Sequence, residues 1–174
     1  MRRNPRKLES EEELYAAAVG ALARRAHSVF EMRTYLERRS DDTGAVKRVL
    51  ARLRERKYLD DARYARQFAG DRSRLRHQGR YRIARELRTR GVADTHIESA
   101  LAELAGQTNE AAEVRRQIAR RLKSLRGPLD QRRIASLQRS LLRAGFSSDA
   151  IRAGIRAIAS EDVPELTGED GEDV

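Results

Sequence analysis

Cysteine is absent from this chain, which removes disulfides, thiolate nucleophiles and cysteine-held metals together. Tryptophan is absent too, and aromatic residues make up only 5% of the 174 positions, so any cores are modest and mainly aliphatic. Three prolines are too few to punctuate a strand-and-turn protein, and no segment alternates with period two, so no sheet is expected. No run of about 18 apolar residues occurs, which argues against a transmembrane helix. The basic start, Met1-Arg2-Arg3-Asn4-Pro5-Arg6-Lys7, leads into Glu11-Glu12-Glu13 rather than into an apolar segment. No signal peptide is therefore expected, and a cytoplasmic protein is the plain reading.

Catalytic signatures are equally scarce. There is no GxGxxG, no Walker-type loop and no GxSxG. The three histidines, His27, His77 and His96, stand far apart and none has an HExxH partner. The paired carboxylates Asp60-Asp61 have no third acid or histidine at usable spacing, and they read as a helix cap with a dipole-stabilising neighbour. No enzyme, cofactor or metal is expected.

What the chain has in abundance is charge, at 37% of residues, with a net charge of +10. Its distribution is uneven. From Glu161 to Val174 there are seven acids and no base. Taking that −7 away from the +10 leaves +17 on residues 1–160, a body suited to polyanions, nucleic acid first among them. The acidic end also carries Pro164, Gly168 and Gly171 and almost nothing apolar, so a disordered tail is predicted over 161–174. It reads either as a solubilising tail or as a polyanion mimic that folds back onto arginine faces.

Helical periodicity organises the rest. Shifting the chain by 54 residues sets Tyr64 on Ile118, Phe68 on Leu122, Leu87 on Leu141, Gly91 on Gly145, Val92 on Phe146, Ile97 on Ile151 and Leu101 on Ile155. A shift of 51 sets Met32 on Ile83, Leu36 on Leu87, Val46 on Ile97, Leu50 on Leu101 and Leu53 on Leu104. The fold class expected is all-α, with three tandem three-helix, helix-turn-helix-like units in an elongated, curved array. After a basic N-terminal extension at 1–10, the units are assigned to 11–59, 60–106 and 107–160, with the tail at 161–174. Helices are predicted near 11–25, 28–39 and 44–57, then 61–75, 80–90 and 95–105, then 110–125, 130–144 and 148–159. Ser10/Glu13 and Ser28/Glu31 have capping-box spacing, Gly127 and Pro128 mark a joint, and Ser147 should cap the last helix. Phe68, Ile83, Leu87, Ile97 and Leu101 are predicted to be buried together in the second unit.

Ten arginines fall between Arg63 and Arg90. Arg72, Arg74, Arg76, Arg80 and Arg82 straddle Gly79 with only Asp71 nearby, and Tyr81 is interleaved as an expected rim-packing residue. A similar load lies in the third unit on Arg115, Arg116, Arg120, Arg121, Lys123, Arg126, Arg132 and Arg133. The guanidinium fork suits phosphate and carboxylate. Arg72, Arg74, Arg76, Arg80, Arg82, Arg115, Arg116, Arg120 and Arg121 are therefore the candidate partner-binding residues. Duplex reading by every unit is disfavoured, because the third helix of the second unit carries Glu98 and Glu103 after Asp94 and has no lysine or arginine.

The run Tyr58-Leu59-Asp60-Asp61, with Arg63, Tyr64, Ala65, Phe68, Arg72, Gly79, Ile83, Glu86-Leu87 and Gly91, resembles the RecX family, bacterial modulators of the RecA recombinase. The resemblance covers roughly 12–160 and is strongest over 58–92. It implies three tandem three-helix units and a non-enzymatic protein. It further implies that the chain binds RecA and RecA–single-stranded DNA filaments, and mainly inhibits filament extension, ATP hydrolysis, strand exchange and repressor cleavage. A monomer with at most weak direct DNA contact is expected. The alternative is a basic helical protein that binds DNA directly, as a nucleoid component or transcription regulator.

Overall fold

The computed structural model describes residues 7–123 and 130–161. Residues 1–6 of the basic start, the Gly127-Pro128 joint, Arg126 and residues 162–174 of the tail expected over 161–174 lie outside the described residues, whereas Glu161, expected to begin that tail, ends the last helix. Among those residues the chain is all-α, with nine helices and no strand.

The first three helices are α1 (Glu11–Arg24), α2 (Val29–Glu37) and α3 (Thr43–Glu55). Their starts follow from local chemistry. Ser10 and Ser28 each accept from the backbone N–H three residues on, at 3.1 and 3.0 Å, and Glu13 and Glu31 accept in return from the cap backbone. These are the two expected capping boxes. Asp42 caps α3 by accepting from Ala45 N–H at 2.9 Å, and that bond holds its carboxyl below the ordinary aspartate value. The apolar stripes of the three helices meet in one core that includes Leu14, Met32, Leu36, Val49 and Leu53, all fully buried.

α4 (Asp61–Arg76), α5 (Arg80–Thr89) and α6 (Asp94–Gln107) form a second bundle. Asp60 caps α4 by accepting from Arg63 N–H at 2.9 Å. This bond, more than the nearby arginines, lowers its carboxyl pKa. α5 ends in a Schellman arrangement: Val92 N–H reaches Leu87 O, Gly91 N–H reaches Arg88 O, and Gly91 adopts φ +70°. The core holds Ile83, Leu87 and Ile97 as predicted, together with Tyr64, Ala65, Ala69, Val92 and Ala100.

Two members of the predicted core sit at its edge. Phe68 and Leu101 are only partly buried. Phe68 packs against the core and Tyr64 stacks on it at 5.9 Å, while charge covers it as well: the guanidinium carbons of Arg72 and Arg90 lie 4.6 and 4.7 Å from its ring centroid. The interior they do not fill is occupied by small alanines, which let the helices approach closely.

These two bundles belong to one compact unit, 1–108, while residues from Asn109 onward form another. The second unit contains α7 (Glu110–Lys123), α8 (Gln131–Ala144) and α9 (Ser148–Glu161) around Val114, Ile118, Leu137, Leu141, Phe146 and Ile151. Ser147 caps α9, as expected, by accepting from Ala150 N–H at 3.2 Å. α8 closes as α5 does, with Gly145 at φ +91° and Phe146 N–H on Leu141 O. The 54-residue register thus reproduces backbone geometry as well as burial: Leu87 and Leu141, Val92 and Phe146, and Ile97 and Ile151 are all buried.

Candidate functional site

The joint between α4 and α5 is where the sequence concentrates arginine, and its five candidate arginines separate into two roles. Arg72 and Arg82 turn inward. Arg72 Nε lies 3.3 Å from Glu86 Oε2, Arg82 Nε donates to Glu86 Oε1 at 3.1 Å, and Gln78 Nε2 donates to the same oxygen at 3.2 Å. Burial alone would raise the Glu86 pKa, but the Arg82 hydrogen bond and the two positive charges outweigh it and hold the carboxyl below its ordinary value. The cluster ties the end of α4 to the face of α5 with a charge-assisted network. Arg72, expected to be free to engage a partner, is thus only 21% exposed and holds the bundle together.

Arg74, Arg76 and Arg80 are exposed. The Arg74 guanidinium folds back over Gly70, whose missing side chain leaves room for it. Arg80 reaches its neighbour Tyr81, with its guanidinium carbon 5.5 Å from the ring centroid. Tyr81 is itself 61% exposed, so it projects from the joint and does not pack at a rim. Leu75 is 77% exposed although it follows Phe68 at helical spacing, because the last turn of α4 contributes no residue to the buried core. The joint therefore presents three exposed arginines and two large apolar side chains.

The second group of candidates lies on α7. Arg115, Arg116 and Arg120 are exposed and Arg121 is half-buried. Arg116 Nη2 lies 2.7 Å from Glu113 of the same helix. Arg115 packs its stem towards Gly154 of α9.

Sequence reasoning did not find the set of polar groups that joins the first two bundles. Ser28, fully buried, donates its hydroxyl to Arg90 O at 2.6 Å while accepting from Glu31 N–H. Asp61 Oδ1 accepts from Val29 N–H at 2.9 Å, so the second acid of the Asp60-Asp61 pair serves the start of α2 as well as lying in the first turn of α4. The Glu31 carboxylate accepts from Arg25 Nη1 at 3.2 Å and from the Tyr64 hydroxyl at 3.3 Å, and it lies 3.8 Å from Arg90 Nε. Burial, and then the Glu31 charge, push the Tyr64 hydroxyl up to about 12. Around this set runs a cleft of about 410 Å³ lined by Arg25, Glu31, Phe68, Asp71, Arg72 and Arg90. Leu59, by contrast, belongs to the first core. The run Tyr58-Leu59-Asp60-Asp61 is therefore the connector that closes one bundle and starts the next. The capping-box spacing at Ser28 was the available signal, but nothing local names Arg90 as its second partner.

Across the described residues no group of three histidines or acids is arranged to hold a metal ion. No described helix is long and apolar enough to cross a membrane. α6 presents acid: Asp94 pairs with Arg88 at 2.7 Å, and Glu103 lies 3.9 Å from Arg66. That face is poorly suited to the phosphates of a duplex groove.

Comparison with known proteins gives a consistent result. The family model of the first three-helix domain of RecX matches residues 15–53, and that of the second matches 60–101. The chain is 40% identical over 147 residues to Regulatory protein RecX of Halorhodospira halophila, covering 84% of this chain and 88% of that one. It is 35% identical over 162 residues to Regulatory protein RecX of Deinococcus radiodurans, covering 91% and 74% respectively. The crystal structure of RecX from Lactobacillus salivarius superposes with a TM-score of 0.71 at 19% identity, over 86% of this chain and 97% of that chain. A second crystal structure of regulatory protein RecX gives 0.74 at 20% identity, over 84% and 73%. The structures speak for the fold and the sequence matches for the lineage: the chain belongs to the RecX family of regulatory proteins.

Proposed function

We propose that this protein binds the RecA recombinase, chiefly RecA assembled on single-stranded DNA, and restrains it. The activities held back are filament extension, the filament's ATP hydrolysis, strand exchange and filament-driven repressor cleavage. The observation that carries this reading is the match of residues 60–101 to the second RecX domain, which contains the α4–α5 joint with its exposed arginines. In this reading the three-helix segments 11–59, 60–106 and 107–160 act as tandem contact modules of a cytoplasmic monomer. Exposed arginines on two of them, Arg74, Arg76 and Arg80 on one and Arg115, Arg116 and Arg120 on the other, engage an acidic target at several points. Several weak contacts on one chain raise the effective affinity without any single strong one. Inhibition by occupancy requires no catalytic group. Direct contact with DNA is expected to be weak and non-specific, since the exposed cations read phosphate and not base edges.

The test is RecA-dependent ATP hydrolysis on single-stranded DNA at well below one molecule per RecA subunit. Inhibition at that ratio is expected. Coating of naked DNA near saturation, with hydrolysis and filament length unchanged, would replace this reading with direct DNA binding.

A further inference from the structure

In the unit from Asn109 onward, the fold brings the start of a strongly acidic segment to the end of a strongly basic helix. α9 runs alongside α7 in the same direction. At its start, Ser147 donates its backbone N–H and its hydroxyl to the Glu110 carboxylate in the first turn of α7, at 3.0 and 2.9 Å. Farther along, Gly154 lies so close to α7 that a Cβ there would come within 2.9 Å of Val114 and 3.0 Å of Ile118. Both helices have 14 residues and so are about 21 Å long. Their last turns therefore reach the same end of the bundle. The last turn of α7 carries Arg120, Arg121 and Lys123, and α9 ends there at Glu161, where the acidic segment begins.

Charge and reach both fit. Both acids of α7 are already engaged inside the unit, Glu110 by Ser147 and Glu113 by Arg116. Arg115, Arg120 and Lys123 are exposed, as is the Arg116 side chain that pairs with Glu113. Residues 162–174 hold six acids and no lysine or arginine. Extended, they span about 43 Å, roughly twice the length of α7. We propose that segment 162–174 docks along the exposed cations of α7 and competes there with any acidic or polyanionic partner. A tethered segment works at an effective concentration on the order of millimolar. Against a contact whose dissociation constant is on the order of 0.1 mM, typical of weak phosphate-like binding, the tethered form is favoured about tenfold. The docking stands on this unit alone, whereas its regulatory meaning rests on RecA as the partner.

The test uses the full chain and zero-length carbodiimide coupling of lysine to carboxylate. The chain has four lysines, Lys7, Lys47, Lys57 and Lys123. An intramolecular Lys123 link to an acid of 162–174, present without RecA and suppressed at 0.5 M salt, is expected. Its absence, or tail links confined to Lys7, Lys47 or Lys57 or to a second molecule, would overturn the docking. In parallel, the chain ending at Glu161, and a full-length chain with the acids of 162–174 changed to Asn or Gln, are titrated with a fluorescent thymidine 30-mer. Both should bind about tenfold tighter than the parent at 50 mM salt, with the difference gone at 500 mM. Equal affinities at low salt would also overturn the proposal. RecA ATPase separates the two readings: no inhibition by either parent or shortened chain sinks RecA as the partner while leaving the Lys123 link intact.

Discussion

Gly91 is the position where a single added methyl group should do the most damage, and the cost can be worked from two separate causes. Its φ of +70° is a conformation that costs an alanine about 1–2 kcal/mol. A Cβ there would also sit 2.5 Å from both Cβ and Cγ of Phe30, a helix α2 residue whose inner atoms cannot swing away. Forcing such a contact adds about 1–3 kcal/mol. The loss of freedom in the unfolded chain returns about 0.4–1 kcal/mol, so Gly91→Ala should destabilise the 1–108 unit by about 1.5–4 kcal/mol. At about 4 °C or more per kcal/mol for a unit of this size, thermal unfolding followed by circular dichroism should show a drop of at least about 6 °C. Gly106 supplies the opposite sign. It lies in α6 with nothing within 4 Å of the place a methyl group would take, so Gly106→Ala should stabilise by about 0.5–1 kcal/mol. A double-mutant cycle isolates the steric part: in a Phe30→Gly background, which removes both Cβ and Cγ, the cost of Gly91→Ala should shrink to about 0.5–1 kcal/mol, the backbone strain less the unfolded-chain return. Equal costs in the two backgrounds would refute the cross-bundle contact. An unchanged melting temperature for Gly91→Ala would refute the backbone geometry as well.

Leu87→Ala and Leu141→Ala, both fully buried at matching positions, should each cost about 2–5 kcal/mol in urea unfolding, and Phe68→Ala less, because its ring is only partly buried. His27 has its pKa lowered, chiefly by burial, with the Arg25 and Arg24 charges acting in the same direction against the Arg25 carbonyl and Glu31. The folded state therefore binds fewer protons than the unfolded one just below pH 6.5, so its contribution to stability is lost as pH falls through that window. Melting temperatures at pH 7.5 and 5.5 should differ less in His27→Gln than in the parent, and an identical difference would show that His27 is not the group responsible. Charge reversal at Arg74, Arg76 and Arg80 together should weaken partner binding and flatten its salt dependence while leaving the melting temperature within a few degrees. Arg72→Glu should instead destabilise the fold by breaking the Glu86 cluster, which unfolding curves of the two variants will separate.

The amino-acid sequence alone determined the helices, their caps and the repeat. Ser10, Ser28, Asp60 and Ser147 act within a few residues of themselves, and the stripe that sets Leu87 over Leu141 depends only on helical spacing, so both are readable without a fold. The demand for glycine at positions 91 and 145 is equally local, since a helix stop of that type requires a positive φ. Tertiary structure decided which arginines are available. Arg72, Arg74 and Arg76 are the same residue type at alternate positions, yet only the first faces Glu86, which lies on another helix. It also decided that Asp61 serves Val29, that Ser28 serves the Arg90 carbonyl, and that Phe68 is lidded by two guanidinium groups. These partners lie on different helices, and which pairs meet depends on how whole helix faces pack, a property of the assembled bundles and not of any local pattern.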